Sequence, residues 1–243
     1  MLFLVGLKNN IDVHSVWISD THIGSCGTQL RRLDDFLDHL HCNLLFLNGD
    51  ILDKYLISNI DELDPLGRSI IDKINHLHTK GVRVYFLPGN HDSQKQASLV
   101  FKHLTFVEEF LYKSLKNKTF LVMHGDKLDP SVSLKAKWFA KFGTDFYEFF
   151  LKKKNKKNRS GLSLSRCIKI SIKNTLGFLF RYRYMLHRYL VEKKVDGLIY
   201  GHTHQPKIKT YKSKLYLNSG DWIDNCSYIV ETHEGEFKLL NWE

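Results

Sequence analysis

Five short apolar runs in this chain each end in residues able to hold a metal ion: Asp20-Thr-His22, Gly49-Asp50, Gly89-Asn90-His91-Asp92, His124-Gly-Asp126 and Gly201-His202-Thr-His204. The runs themselves, 13–19, 43–47, 82–87, 119–123 and 196–200, are rich in leucine, β-branched and aromatic residues and are closed by Gly, Asn, Asp or Pro. Such runs predict buried strands. Between the first four lie segments whose apolar residues recur at helical spacing: 28–41 (Leu30, Leu33, Phe36, Leu37, Leu40), 65–80 (Leu66, Ile70, Ile71, Ile74, Leu77) and 93–106. Strand and helix alternate, so the chain is predicted to be α/β. In open α/β sheets ligands collect outside the carboxyl ends of the strands, and all five motifs fall there.

Carboxylate, amide and imidazole donors at that place suffice for two divalent cations sharing one carboxylate. Such a pair can activate water and stabilise a phosphoryl group without a Ser or Cys nucleophile. The donor set suits manganese, iron or zinc better than an all-oxygen magnesium cage, and no thiolate zinc pattern is present. A single histidine at a strand end is more often hydrogen-bonded or solvated than a ligand. His14, His39, His41, His76, His78, His103, His187 and His233 have no motif around them and keep that reading.

The ordered set D-x-H, G-D-x-x-D (Gly49 to Asp53), G-N-H-D, H-G-D and G-H-T-H resembles the calcineurin-like metallophosphoesterase superfamily. That resemblance implies two packed mixed β-sheets flanked by helices. It also implies a first metal on Asp20, His22, Asp50 and His204, and a second on Asp50, Asn90, His124 and His202, with Asp50 as the bridge. Manganese is the metal it favours. His91 would stand over the phosphate as a general acid or charge stabiliser. Asp53 and Asp92 would orient imidazoles or backbone rather than hold metal.

Length and ordinary hydrophobic content suit one domain over 1–243 with an insertion. More than seventy residues separate His124 from Gly201, about twice the earlier motif spacing, which places the insertion at about 127–195. That segment holds eighteen Lys and Arg against four Asp and Glu, a net +14, whereas the whole chain is +10. The basicity belongs to the insertion. Its cations alternate with large apolar groups, including Trp138, Phe142, Phe146 and Phe149, then the tract Lys152 to Arg159, then helical candidates 162–173 and 176–194. It reads either as a helical cap with a solvated loop or as a basic, aromatic lid for an anionic amphiphile or membrane surface. The final runs, 207–211, 214–217, 227–231 and 236–240, predict antiparallel hairpins completing a second sheet.

Within the superfamily, Ser19 to Gly24, Gly49 to Asp53, Met123 to Asp129, Gly201 to Pro206 and Asn218-Ser-Gly-Asp-Trp222 resemble the UDP-2,3-diacylglucosamine diphosphatase family of lipid A biosynthesis. This resemblance implies hydrolysis of the pyrophosphate of that acylated sugar nucleotide to UMP and 2,3-diacylglucosamine 1-phosphate by an activated water. Tyr55 falls roughly where that family puts an aromatic near substrate. The best-known branch carries Arg at the place of His91, while a related branch carries the Asn-His-Asp form. A nuclease or cyclic-nucleotide phosphodiesterase would use the same metal site, with the basic insertion following a phosphate backbone. A protein phosphatase and a metal-free interaction scaffold are the remaining alternatives.

The chain has no run of eighteen apolar residues, and 1–7 is too short to span a bilayer and lacks the marks of a signal peptide. Cys26, Cys42, Cys167 and Cys226 are scattered without C-x-x-C spacing, as expected of reduced thiols. The expected location is cytoplasmic, held loosely on the cytoplasmic face of the inner membrane.

Overall fold

Alternation of side chains along the strands decides how the layers stack. In the computed structural model, which describes residues 10–53, 63–129 and 181–243, β1 (Ile11–Ile18) turns Val16 and Ile18 to one apolar cluster and Trp17 to another. It pairs in parallel with β2 (Leu40–Asn48), which pairs in parallel with β3 (Arg83–Leu87). A two-residue β4 (Thr105–Phe106) follows β3, and the antiparallel hairpin β10 (Ser227–Glu231) and β11 (Phe237–Asn241) closes the other side. The sheet order is β11-β10-β1-β2-β3-β4.

A second sheet has the order β5-β6-β7-β9-β8, made of β5 (Phe110–Lys113), β6 (Thr119–Val122), β7 (Gly197–Tyr200), β8 (Lys207–Tyr211) and β9 (Lys214–Asn218). Trp17, Phe46 and Ile229 of the first sheet meet Tyr112, Phe120, Val122, Ile199 and Leu217 of the second in one buried cluster. Trp17 stacks on Phe46 at 5.2 Å and meets Tyr112 edge-on at 4.9 Å. The opposite face of the first sheet packs on α1 (Leu30–Asp38), α2 (Pro65–His76) and α3 (Gln94–Val100) through Leu33, Phe36, Ile70, Ile74 and Ala97. Two mixed sheets flanked by helices are therefore observed, as expected.

Three boundaries differ from the sequence expectation. The helix expected over 28–41 ends at Asp38, because Leu40 already pairs with Ile11. The second stops at His76 and continues as a tight 3-10 turn, Leu77–Lys80, closed by Gly81 at φ +79°. The third, expected over 93–106, starts at a reciprocal Ser93/Gln96 cap and ends at Val100. Asn75 of α2 ends it: its side chain donates to Val100 O at 3.0 Å and accepts the Lys102 N–H at 2.6 Å. The C-terminal hairpins also divide, β8 and β9 joining the second sheet while β10 and β11 return to the first.

By contact density the chain forms two compact units, 1–125 with 193–243, and 126–192. Both sheets belong to the first. In the second, the described residues comprise the turn Asp126–Leu128 and a helix over 181–192 that buries Tyr182, Leu186 and Leu190 at four-residue spacing. Tyr55 and most of the insertion expected at 127–195 lie outside the described residues.

Trp17 is fully buried between the sheets. Trp17→Ala should cost about 3–5 kcal/mol of unfolding free energy, measured by chemical denaturation.

Candidate metal centre

Each expected ligand leaves the carboxyl end of a strand into a short loop, and the loops are held against one another by main-chain bonds. The Asp20, His22 and Ile23 N–H groups donate to the carbonyls of Gly49, Asp50 and Ile51 at 3.0, 3.0 and 2.8 Å, continuing the β1–β2 pairing past the strands. The Thr28 hydroxyl lies within reach of the Thr21 and His22 carbonyls, and the Thr21 hydroxyl donates to Ile51 O. These loops can present side chains inward only by adopting rare backbone conformations. Asp20, His22, Asp50, His202 and His204 all have φ between +46° and +66°, and such left-handed residues each cost of order 1–3 kcal/mol.

The side chains converge. Donor atoms of Asp20, His22 and His204 lie within 4.8 Å of one another, as do those of His22, Asp50 and His91, and those of Asp20, Asp50 and His124. Asp50 and Asp20 are shared between groups, and both are almost fully buried. His124 Nε2 stands 3.3 Å from Asp50 Oδ2, and His204 Nε2 stands 3.2 Å from Asp20 Oδ1. His202 sets its ring edge-on to His124 at 5.3 Å, and its main-chain N–H donates to Asp20 Oδ2 at 3.0 Å. Asn90 lies exposed between Gly89 and His91. The His91 ring meets His22 edge-on at 4.7 Å.

Burial opposes ionisation of Asp50, yet the facing His124 and the His91 N–H outweigh it and hold the carboxyl below the usual range. Burial depresses His22 against the pull of Asp50 and Asp20. The Asp20 carboxylate, 3.2 Å from its ring, outweighs burial at His204 and raises its imidazole. These influences favour anionic Asp50 and neutral His22, the forms that bind metal, and oppose deprotonation of His204. Asp20 Oδ1 and His91 Nδ1 are buried without a hydrogen bond, an arrangement that a cation would relieve. The residues present fit divalent metal.

Asp92 serves the backbone, as one of its two expected roles. Its buried carboxylate accepts the N–H groups of Asp50 (3.0 Å), Ile51 (2.5 Å), Leu52 (3.0 Å) and Gly89 (2.8 Å). Burial, together with the charge of Asp50, pushes its carboxyl up to about 6. Asp53 is half-buried and donates its N–H to Ile23 O. Sequence reasoning assigned no role to Asp221, whose carboxylate stands 3.9 Å from His204 Nδ1. The only signal was its place in the Asn218-Ser-Gly-Asp-Trp222 segment.

Such a centre defines a metal-dependent hydrolase. Residues 14–206 match the model of the calcineurin-like phosphoesterase family, and the chain belongs to that family. A relative from Aliivibrio fischeri is 24% identical over 92% of this chain and 99% of its own, and one from Haemophilus influenzae is 25% identical over 93% and 98%. A third, from Chromohalobacter salexigens, is 26% identical over 89% and 92%. Each of the three is named UDP-2,3-diacylglucosamine hydrolase. Among solved structures, a phosphoesterase from E. coli aligns over 94% of this chain and 99% of its own at 14% identity and a TM-score of 0.46, too distant to bear on activity. Among the described residues no helix is long and apolar enough to cross a membrane.

Backbone packed against the ligands gives a sharp test. A Cβ on Gly89 would fall 2.1 Å from Asp50 Oδ1 and 2.5 Å from its N. Gly89→Ala should therefore displace Asp50 and weaken divalent-cation binding, followed by calorimetry, by about 10–100-fold.

Proposed function

We propose that this chain hydrolyses the pyrophosphate of UDP-2,3-diacylglucosamine, releasing UMP and 2,3-diacylglucosamine 1-phosphate. Its centre would take two divalent cations, manganese before iron or zinc. The observation that carries the chemistry is the overlap of three donor groups through Asp20, His22 and Asp50. The substrate rests on the activity for which relatives matched over nearly their whole length are named.

In this reading Asp20, His22, Asp50 and His204 hold one cation, and Asp50, Asn90, His124 and His202 the other. Bound there, the pair would supply Lewis acidity and a nucleophilic water at neutral pH. Asp50 serves both, which its place in two of the three groups supports. The His91 N–H donates to Asp50 Oδ1 at 2.7 Å, which fixes the start of its side chain at the rim of the centre. A half-buried imidazole there can protonate the leaving oxygen or stabilise its charge. Tyr55, after the Gly49–Asp53 loop, is a candidate substrate contact.

The segment 127–195 is read as a helical insertion in a single 1–243 domain. It would select an acylated anionic substrate and hold the chain loosely at an anionic cytoplasmic membrane face. Its cations would contribute about 1 kcal/mol each near such a surface. The crowding of aromatics among them favours acyl chains over a nucleic-acid backbone.

Purified protein supplied with Mn2+ should turn over a UDP-diacylglucosamine and leave cyclic nucleotides and nucleic acid intact; the reverse preference would replace the lipid reading. Asp50→Ala should lose both metal binding and turnover. His91→Ala should retain two metals by elemental analysis while kcat falls by about two to four orders of magnitude.

Neutralising Lys152, Lys153, Lys154, Lys156 and Lys157 should weaken binding to anionic vesicles more than it slows hydrolysis of a soluble phosphodiester. Equal losses in the two assays would count against the membrane role.

A further inference from the structure

The segment 205–220, which carries β8 and β9, contains Lys207, Lys209, Lys212 and Lys214 and no Asp or Glu, although the chain outside 127–195 is acidic overall at −4. β8 is an edge strand of the second sheet. Its pairing sets Lys209 opposite Tyr216 and Tyr211 opposite Lys214, while Ile208 and Leu215 turn toward the layer between the sheets. Lys207, Lys209 and Tyr211 therefore share the outer face. Beyond the strand, the Lys212 ammonium lies 5.5 Å from the centre of the Tyr211 ring. Lys207, Lys209 and Lys212 are exposed and have no carboxylate partner among the described residues, whereas Lys73, Lys193 and Lys238 are all ion-paired.

This stripe starts at the metal centre. Lys207 follows His204 by three residues and pairs with Asn218, whose amide donates to Gly201 O at 2.8 Å and to Thr203 Oγ1 at 3.0 Å. From there β8 runs away from the ligand loops, and at about 3.3 Å per residue Tyr211 lies roughly 13 Å farther on. Lysines on an edge also deter strand pairing between copies. That role calls neither for a run free of acids nor for a further cation in the turn beyond the strand.

We propose that the β8 edge is a contact surface for an anionic lipid bilayer, one that keeps the mouth of the metal centre at the level of the headgroups. All four cations are lysines, point charges that suit a diffuse field of headgroups, whereas nucleic-acid phosphates are more often met by the planar fork of arginine. A tyrosine among them suits the boundary between water and lipid. The contact serves catalysis only if the substrate is a lipid, so its use rests on the function proposed above.

The test compares two full-length variants with equal loss of charge: Lys207→Gln/Lys209→Gln/Lys212→Gln on β8, and Lys113→Gln/Lys116→Gln/Lys118→Gln in the turn between β5 and β6. Binding to vesicles of phosphatidylglycerol and phosphatidylcholine in equal parts is read by sedimentation, and folding by thermal unfolding. Each cation held near an anionic surface strengthens binding about fivefold, so the β8 variant should bind about 100-fold more weakly, and the control variant should stay within about fivefold of wild type.

Equal losses in the two folded variants, or none in the β8 variant, overturn the proposal. Self-association of the β8 variant at unchanged vesicle affinity reduces the lysines to guards of the edge, and loss of single-stranded RNA binding at unchanged vesicle affinity makes the stripe a nucleic-acid surface; each overturns it. Vesicle binding needs no turnover. A wild type that binds through β8 but hydrolyses no UDP-diacylglucosamine in detergent overturns the substrate instead, so the two failures are distinguishable.

Discussion

Four backbone N–H groups from two neighbouring strand ends converge on the Asp92 carboxylate, and the metal centre depends on that convergence. Three come from Asp50, Ile51 and Leu52 after β2, and the fourth from Gly89 after β3. A buried carboxylate near another is costly, and these four hydrogen bonds offset only part of its desolvation, since its carboxyl still rises to about 6. The same bonds force the chain after β2 to curl, which puts Asp50 in the left-handed region with its side chain inward. The curl brings Gly89 onto Asp50 so closely that no side chain fits there. A carboxylate that touches no metal in the proposed reading thus sets the position of Asp50.

The centre also needs two sheets. Asp20, His22, Asp50 and His91 follow strands of the first, whereas His124, His202 and His204 follow β6 and β7 of the second. The spacing between these halves is set by the aromatic layer of Trp17, Phe46, Tyr112 and Phe120. On β10, opposite Ser15 of β1, Glu231 joins the sheets again: its buried carboxylate accepts the Tyr112 hydroxyl and, at 2.9 Å, the Leu115 N–H. Because close-packed layers of this kind resist small displacements, strained loops at their ends can hold ligands at fixed distances.

Strands and candidate ligand residues were legible in the sequence because both are local. Ser227–Glu231 and Lys207–Tyr211 fall where alternation put them, and the other expected strands shift by a few residues. Strand β5, Phe110–Lys113, was not legible, since Tyr112 is the one side chain it buries and no apolar core run marks it, unlike the equally short β6 and β7. The end of α3 was hidden for another reason: Asn75 sets it from another helix, which no local propensity reports. Partner choice between sheets is also non-local, so β10 and β11 could be seen as a hairpin but not assigned to the first sheet. At the centre, residue type revealed the acids and imidazoles. The bonding of Asp92 and Asp221 to backbone N–H groups leaves no compositional mark, because every residue but proline carries such a donor.

Charge divides along the chain as the chemistry does. The segment 127–195 carries +14, so the remainder, which contains the whole centre, is −4. A diphosphate approaching Asp20 and Asp50 alone would meet like charge. Bound cations reverse that sign locally, because an ion is commonly the largest charge in its site. Under the proposed function, the cations of 127–195 would add attraction at longer range. In the proposed reading, the acidic core sets the chemistry, and the basic insertion determines which anions reach it.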